Sequence, residues 1–429
     1  MLKKSKTYIA ILLALVVAFT TILPAMASEP VGSGPLTSND PANPVEATIA
    51  KKLEMPVGTV TPTATFTFEA TAMEHNSGDG LGPALGSWDV NFTPANVAGN
   101  AENGIVSVVL ETVNIFDGVI FPAAGIYKYE ITERDRTNLE IENHQYQWLE
   151  YSTAKYTIFV YVENTGVGNE TFVAGLGTFV TEVDNDNHVE GEKVDPTPGG
   201  GDNYAYSQMV FTNTFVRGNP PTDPLVNPTL AVDKQVSGNL ANKQQLFDFS
   251  ITVEMSALLA ETMKLDYFRA YIVDLDRNVV LTGEELADSG VAGLINTGVN
   301  PNYIRIAVGE SVDFKLKHNQ RLAFVDTPVG ATYTVEEKGV ANYTSSVIVL
   351  SNNVETLDKE ADDVGLALNT GEQLIGVNRN SAAFTNTRED VAPAGLLLNN
   401  LPFILLIALG LGVFGLYVAV KMRRREYEV

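Results

Sequence analysis

One tetrapeptide occurs twice in this chain, 173 positions apart, as Phe211-Thr212-Asn213-Thr214 and Phe384-Thr385-Asn386-Thr387. In an extended strand the side-chain period is two, so each Asn shares a face with the preceding Phe, and Asn213 also shares it with Phe215. An amide on an apolar face must find a partner, because a buried polar group without one costs a few kcal/mol. A fold that contains this stretch twice must therefore supply that partner twice.

The segments upstream of each copy are strand-like. In the first half, apolar alternation marks Ala47 to Leu53, Thr65 to Thr71, Ile105 to Val113, Gly125 to Thr132, Lys155 to Glu163, Phe172 to Val183 and Gln208 to Phe215. In the second half it marks Leu230 to Val236, Leu246 to Glu254, Tyr267 to Asp274, Val279 to Thr282, Tyr303 to Val308, Ser311 to Lys317, Thr332 to Glu337, Tyr343 to Leu350 and Ser381 to Thr387. Ser256 to Met263 and Gly283 to Asp288 are long enough for short helices. Gly, Pro and Asn clusters separate the runs. The fold class expected is all-β, with two tandem Ig-like antiparallel β-sandwich domains, residues 47–216 and 229–388. Between them, 217–228 contains four prolines and reads as a stiff linker.

The ends carry different signals. Residues 1–27 combine Lys3, Lys4 and Lys6, an apolar run and Ala25-Met26-Ala27, the pattern of a secretory signal peptide. Residues 28–46 read as an extended leader. Leu401 to Val420 is free of charge and is followed by Lys421, Arg423, Arg424 and Arg425, so 396–420 is expected to be a transmembrane helix with 421–429 as a basic cytoplasmic tail. Without the signal and the residues after Gly395, the formal charge falls from -24 to -29. Such an acidic exported part excludes nucleic acid as a partner. Cysteine is absent, so any covalent staple must use other chemistry.

Strand phase supplies that chemistry. Lys51 is in phase with Ile49 and Leu53, and Lys234 with Val232 and Val236. Glu133 ends the alternation Tyr127-x-Tyr129-x-Ile131, and Glu337 ends Tyr333-x-Val335. Each half therefore points a Lys, a Glu and an Asn inward, in the same order. Burial drives Lys and Glu toward their neutral forms. A neutral amine beside a carboxamide, with a carboxyl to shuttle protons, can form a Lys-Asn isopeptide bond with loss of ammonia. Lys52 beside Lys51 and Glu336 beside Glu337 are alternatives that a β-bulge would select.

These residues carry a family resemblance. Thr48-Ile49-Ala50-Lys51-Lys52-Leu53, Phe66-Thr67-Phe68, Gly125 to Glu133 and Phe211-Thr212-Asn213 resemble the isopeptide-linked pilins of Gram-positive bacteria, in particular the streptococcal pilin isopeptide-linkage domain. The second half matches more loosely, through Lys234, Tyr333 to Glu337 and Phe384-Thr385-Asn386. The resemblance implies cross-links Lys51-Asn213 and Lys234-Asn386, with Glu133 and Glu337 as catalysts. It also implies a cell-surface pilus subunit or adhesin stalk that is not an enzyme, with sortase and other pilin subunits as partners. Val391-Ala392-Pro393-Ala394-Gly395 occupies the place of a Leu-Pro-x-Thr-Gly sorting signal, keeping the Gly but not the Thr. No Tyr-Pro-Lys pilin motif is present; Lys193 is a candidate for an intermolecular bond, and a solvated loop lysine is the simpler reading. A surface adhesin would instead bind a host or matrix ligand through loops such as His75 to Pro94 or Thr197 to Tyr204.

No cofactor or metal is expected. The four histidines lack ligand spacing. Asp274-x-Asp276-x-Asn278 with Glu285 has Val279 where a calcium loop needs Gly, so a hairpin is expected there.

Overall fold

The computed structural model describes residues 36–74, 80–134, 147–183, 188–200, 206–219, 222–291, 294–296, 302–389 and 394–426. The signal peptide and Val391, Ala392 and Pro393 of the sorting-signal region lie outside these residues.

The first domain contains β1 (Leu36–Thr37), β2 (Ala50–Pro56), β3 (Ala64–Met73), β4 (Ser87–Phe92), β5 (Ile105–Glu111), β6 (Gly125–Glu133), β7 (Gln147–Glu150), β8 (Lys155–Asn164), β9 (Thr171–Glu182), β10 (Lys193–Val194) and β11 (Val210–Arg217). They form two facing sheets. One has the order β1-β9-β8-β6-β3-β4, with β10 also on β9; the other is β5-β2-β11-β7. The pairs are antiparallel apart from β2, the first strand after the edge pairing of β1, and β11, the last strand of the domain, which lie side by side in parallel. Alternation explains the core. Phe66 and Phe68 of β3, Tyr129 and Ile131 of β6, Ile158 of β8 and Phe211 and Phe215 of β11 all point into one apolar cluster.

Two segments differ from the sequence expectation. Leu36–Thr37, within the leader, pairs with Leu176 and Gly175 at the edge of the larger sheet. Gly175 permits this, since a Cβ there would lie 3.1 Å from the Leu36 carbonyl oxygen. The stretch His75 to Pro94 contains β4, whose Trp88, Val90 and Phe92 alternate into the core.

The second domain contains β12 (Leu230–Ser237), β13 (Phe247–Glu254), α1 (Ala257–Met263), β14 (Tyr267–Asp274), β15 (Val279–Val280), α2 (Gly283–Ala287), β16 (Leu294–Asn296), β17 (Tyr303–Ala307), β18 (Val312–Leu316), β19 (Gln320–Phe324), β20 (Thr332–Glu337), β21 (Thr344–Ser351), β22 (Val354–Glu360), β23 (Leu368–Asn369), β24 (Gln373–Leu374) and β25 (Ser381–Thr387). Its large sheet runs β16-β17-β14-β19-β12-β25-β21-β22, with β15 on β14, and packs against β18-β13-β20-β23, with β24 on β20. Again the first and last strands, β12 and β25, are parallel neighbours in an otherwise antiparallel domain. The expected hairpin is β14–β15, with Val279 opposite Asp274. Asp274 is held by Arg277 Nε at 2.8 Å, and the same guanidinium binds Glu285.

Described residues of the linker contact the second domain. Asn219 Nδ2 donates to the Thr327 carbonyl at 2.8 Å, and the Thr222 amide to the Val325 carbonyl at 3.1 Å. Val216, at the end of β11, and Trp148 of β7 pack on the core of the second domain. After the second domain, α3 (Ala394–Glu426) contains Pro402–Met422, a stretch long and apolar enough to cross a membrane, whose most apolar part is not buried against the rest of the protein.

Candidate functional site

Each sandwich holds a Lys, a Glu and an Asn between its sheets. In the first domain, β2 and β11 run parallel with Phe211 opposite Lys51 and Asn213 opposite Leu53, so the two polar side chains stand two residues apart in register on adjacent strands. Glu133, at the end of β6, faces them from the other sheet. Lys51 and Asn213 are fully buried, and so is the Glu133 side chain. Glu133 uses both carboxylate oxygens: Lys51 Nζ donates to Oε2 at 2.8 Å, and Asn213 Nδ2 donates to Oε1 at 2.9 Å. The Ser152 backbone amide donates to Asn213 Oδ1 at 2.7 Å. Phe66 and Phe68 complete the enclosure, the ammonium lying 4.8 Å from the Phe66 ring centre.

The second domain repeats the arrangement. Lys234 on β12 pairs with Phe384 of β25, and Asn386 with Val236, giving the same two-residue offset. Glu337, at the end of β20, comes from the opposite sheet. All three side chains are fully buried. Lys234 Nζ meets Glu337 Oε1 at 2.5 Å, and the Phe247 ring lies 4.2 Å from the ammonium. Here the amide is not held. Asn386 Nδ2 and Oδ1 and Glu337 Oε2 are buried without a hydrogen bond of ordinary geometry. Asn386 is nonetheless near enough to Glu337 to favour its ionised form.

Electrostatics in this site follow from burial. Desolvation lowers Lys234 to about 8, against the pull of Glu337 in the other direction. Desolvation likewise raises Glu337, opposed first by Lys234 and then by Ser345 and Asn386. The pair is thus driven toward a neutral amine and a protonated carboxyl. Those are the forms that amine attack on a carboxamide requires.

The neighbouring residues fall outside. Lys52 is partly exposed and pairs with Glu54 at 2.6 Å across solvent-facing positions. Glu336 accepts from Asn369 Nδ2 at 3.1 Å on the outer face of β20. No bulge interrupts β2, β12 or β20, so strand phase alone decides which of each adjacent pair faces inward. Lys193 sits on β10, half-buried and paired with Phe179. Ala394 and Gly395 begin α3. The contribution of Ser152 had no sequence signal, because it acts through its backbone amide.

With this geometry, the comparison with known proteins is specific. Residues 47–216 match the family described as Spy0128-like isopeptide containing domain. The first domain thus matches an isopeptide-domain family along its whole length. Residues 228–388, next to the first domain, match a family described as a domain of unknown function, DUF7601. No curated protein matches the chain. Similar solved structures include the major pilin from Streptococcus pyogenes, at 17% identity over 81% of this chain and 100% of that one, with a TM-score of 0.30. The T3.2 major pilin of the same species matches at 20% identity over 80% of this chain and 98% of that one, TM-score 0.29. The pilus-presented adhesin Spy0125 (Cpa) matches at 13% identity over 55% of this chain and 37% of that one, TM-score 0.23. These overlaps fall below a TM-score of 0.5, and the family likeness stands on the sequence match of residues 47–216.

Proposed function

We propose that the chain is a cell-surface pilus subunit or stalk whose two domains are each locked by a self-formed isopeptide bond, Lys51 to Asn213 and Lys234 to Asn386, promoted by Glu133 and Glu337. The observation that carries this reading is the recurrence of one buried Lys-Glu-Asn constellation, with the same register offset, across the parallel first and last strands of both domains. In each, the amine attacks the Asn side-chain carbonyl carbon, the carboxyl moves one amine proton to the departing nitrogen, and ammonia leaves. The reaction consumes two polar groups that an apolar interior holds at a cost.

The position of the bonds suits a load-bearing role. Tension enters a domain through its first strand and leaves through its last. In both domains these strands are adjacent, so pulling would shear β2 against β11 and β12 against β25. A covalent tie between them carries the load past the rest of the sandwich, whose residues 52–212 and 235–385 never experience it. Protection of this kind is kinetic, because the bond blocks the unfolding route itself. The acidic exported part, the apolar Pro402–Met422 stretch and the basic residues after it support display at the envelope. Val391 to Gly395 is the proposed processing site for a sortase.

Pulling single molecules of the full chain between its termini tests this role. Wild type is expected to reach rupture of the attachment with no domain-sized extension step. Lys51→Ala and Lys234→Ala are each expected to restore one such step. Two steps in wild type would refute the load-bearing reading.

A further inference from the structure

The two constellations differ in what meets the oxygen of the Asn side chain, and the difference assigns a role to Ser345. As Lys Nζ adds to the carboxamide carbon, negative charge develops on Oδ1, and a donor fixed at that oxygen lowers the barrier. In the first domain this donor is a backbone amide. The chain leaves β7 just beyond Glu150 and turns the Ser152 N–H toward Asn213 Oδ1 at 2.7 Å. The second domain has no such departure. On that flank of β25 runs β21, paired in regular antiparallel register from Thr344 to Leu350, so its backbone is committed to the sheet ladder.

The residue directly opposite Asn386 on β21 is Ser345. Opposed residues of an antiparallel pair project to the same face with Cβ atoms about 5 Å apart. Ser345 points inward with Val347 and Val349, at 1% exposure, and is therefore enclosed with Asn386 and Glu337. On the other side of the site, Gln320 lies opposite Lys234 on β19, its side chain anchored by the Lys317 amide, which donates to Oε1 at 3.0 Å. Ser345 also contributes to holding Glu337 ionised, which places its hydroxyl near the carboxylate.

We infer that Ser345 is a positioning residue for the second cross-link: its hydroxyl turns to donate to Asn386 Oδ1 as charge develops there, taking the part that the Ser152 backbone amide takes in the first domain. This rests on the isopeptide reading above. The step balances without an outside reagent. Lys234 Nζ loses one proton and gains the carbonyl carbon, Asn386 Nδ2 gains that proton through Glu337 and leaves as ammonia, and the Ser345 hydroxyl keeps its own proton throughout.

The test follows the newly synthesised full chain in producing cells by pulse labelling, then tryptic digestion and mass spectrometry of the Lys234 and Asn386 peptides. The Lys51-Asn213 peptides in the same digest give an internal reference. Ser345→Ala is expected to slow the second cross-link about a hundredfold, the usual effect of losing one such donor, without changing the first. Ser345→Thr is expected to restore the rate. In an Asn386→Ala background, where no bond can form, Ser345→Ala is expected to lower the melting temperature by no more than the loss of one buried hydrogen bond, so slow cross-linking in the parent is not a failure to fold. If Ser345→Ala cross-links as fast as wild type, or if Thr fails to rescue it, the assignment is overturned while the isopeptide reading stands. If wild type never links Lys234 to Asn386, the underlying reading fails.

Discussion

Replacing Asn213 by Ala removes the acceptor of the proposed first bond while leaving the buried Lys51–Glu133 pair in place. The bond would close a loop from residue 51 to residue 213. Treated like any cross-link in the chain-entropy model, a loop of roughly 160 residues restricts the unfolded state by about 5 kcal/mol. The lost hydrogen bonds add to this, because the Ser152 amide is left inside without its acceptor, at a cost of about 1 to 3 kcal/mol. For a domain of this size each kcal/mol moves the midpoint by about 2 to 4 °C, so a loss of about 6 to 8 kcal/mol is expected to make the first domain melt about 12 to 32 °C lower. Calorimetry of the full chain in detergent reads this directly, with the second domain as an internal standard. If Asn213→Ala lowers the transition by no more than the hydrogen-bond loss alone would, about 2 to 12 °C, the cross-link is absent from wild type and the reasoning fails.

The remaining predictions concern chemistry and selectivity. The productive state of the second site has one proton shared by Lys234 and Glu337, so its rate of cross-linking is expected to fall above about pH 8, where Lys234 gives up its proton and the pair is left without one. It is expected to fall also in acid, where Glu337, raised by burial, is protonated while Lys234 stays charged; quenched mass analysis across pH reads both limbs, and a rate still rising beyond pH 9 would contradict the shared-proton scheme. Glu337→Gln is expected to abolish the second cross-link and leave the first intact in peptide maps. Lys52→Ala is expected to change neither cross-link, and to shift stability by less than about 0.5 kcal/mol, because its partner Glu54 is partly exposed; loss of a cross-link in that variant would transfer the role from Lys51 to Lys52.

Period-two alternation made the inward set legible, because Lys51, Glu133, Asn213 and their second-domain counterparts sit among residues that only a sandwich core can bury. The sequence could not reveal that β2 and β11, or β12 and β25, are parallel neighbours, since register and direction come from pairings between segments 150 and 160 residues apart. Strand β4 was hidden among Gly and Pro residues although Trp88, Val90 and Phe92 alternate. Strand β19 was hidden for the opposite reason: Leu322, Ala323 and Phe324 are all buried, so a central strand shows no alternation. Leu36–Thr37 lacks an apolar run and is held by an edge that only the folded sheet provides. The donors around the two amides were the least legible part. Ser152 acts through its backbone, and Ser345 gains meaning only from its register with Asn386.

The central claim is that each domain closes on itself by condensing a lysine with an asparagine. The most direct measurement is the intact mass of the full chain purified from the producing cells, compared with Lys51→Ala, Lys234→Ala and the double variant. Beyond any processing at the ends, wild type is expected to weigh two ammonia molecules less than its encoded residues, each single variant one less, and the double variant none less. A wild-type chain at its full encoded mass, in fresh and aged samples alike, would contradict the account.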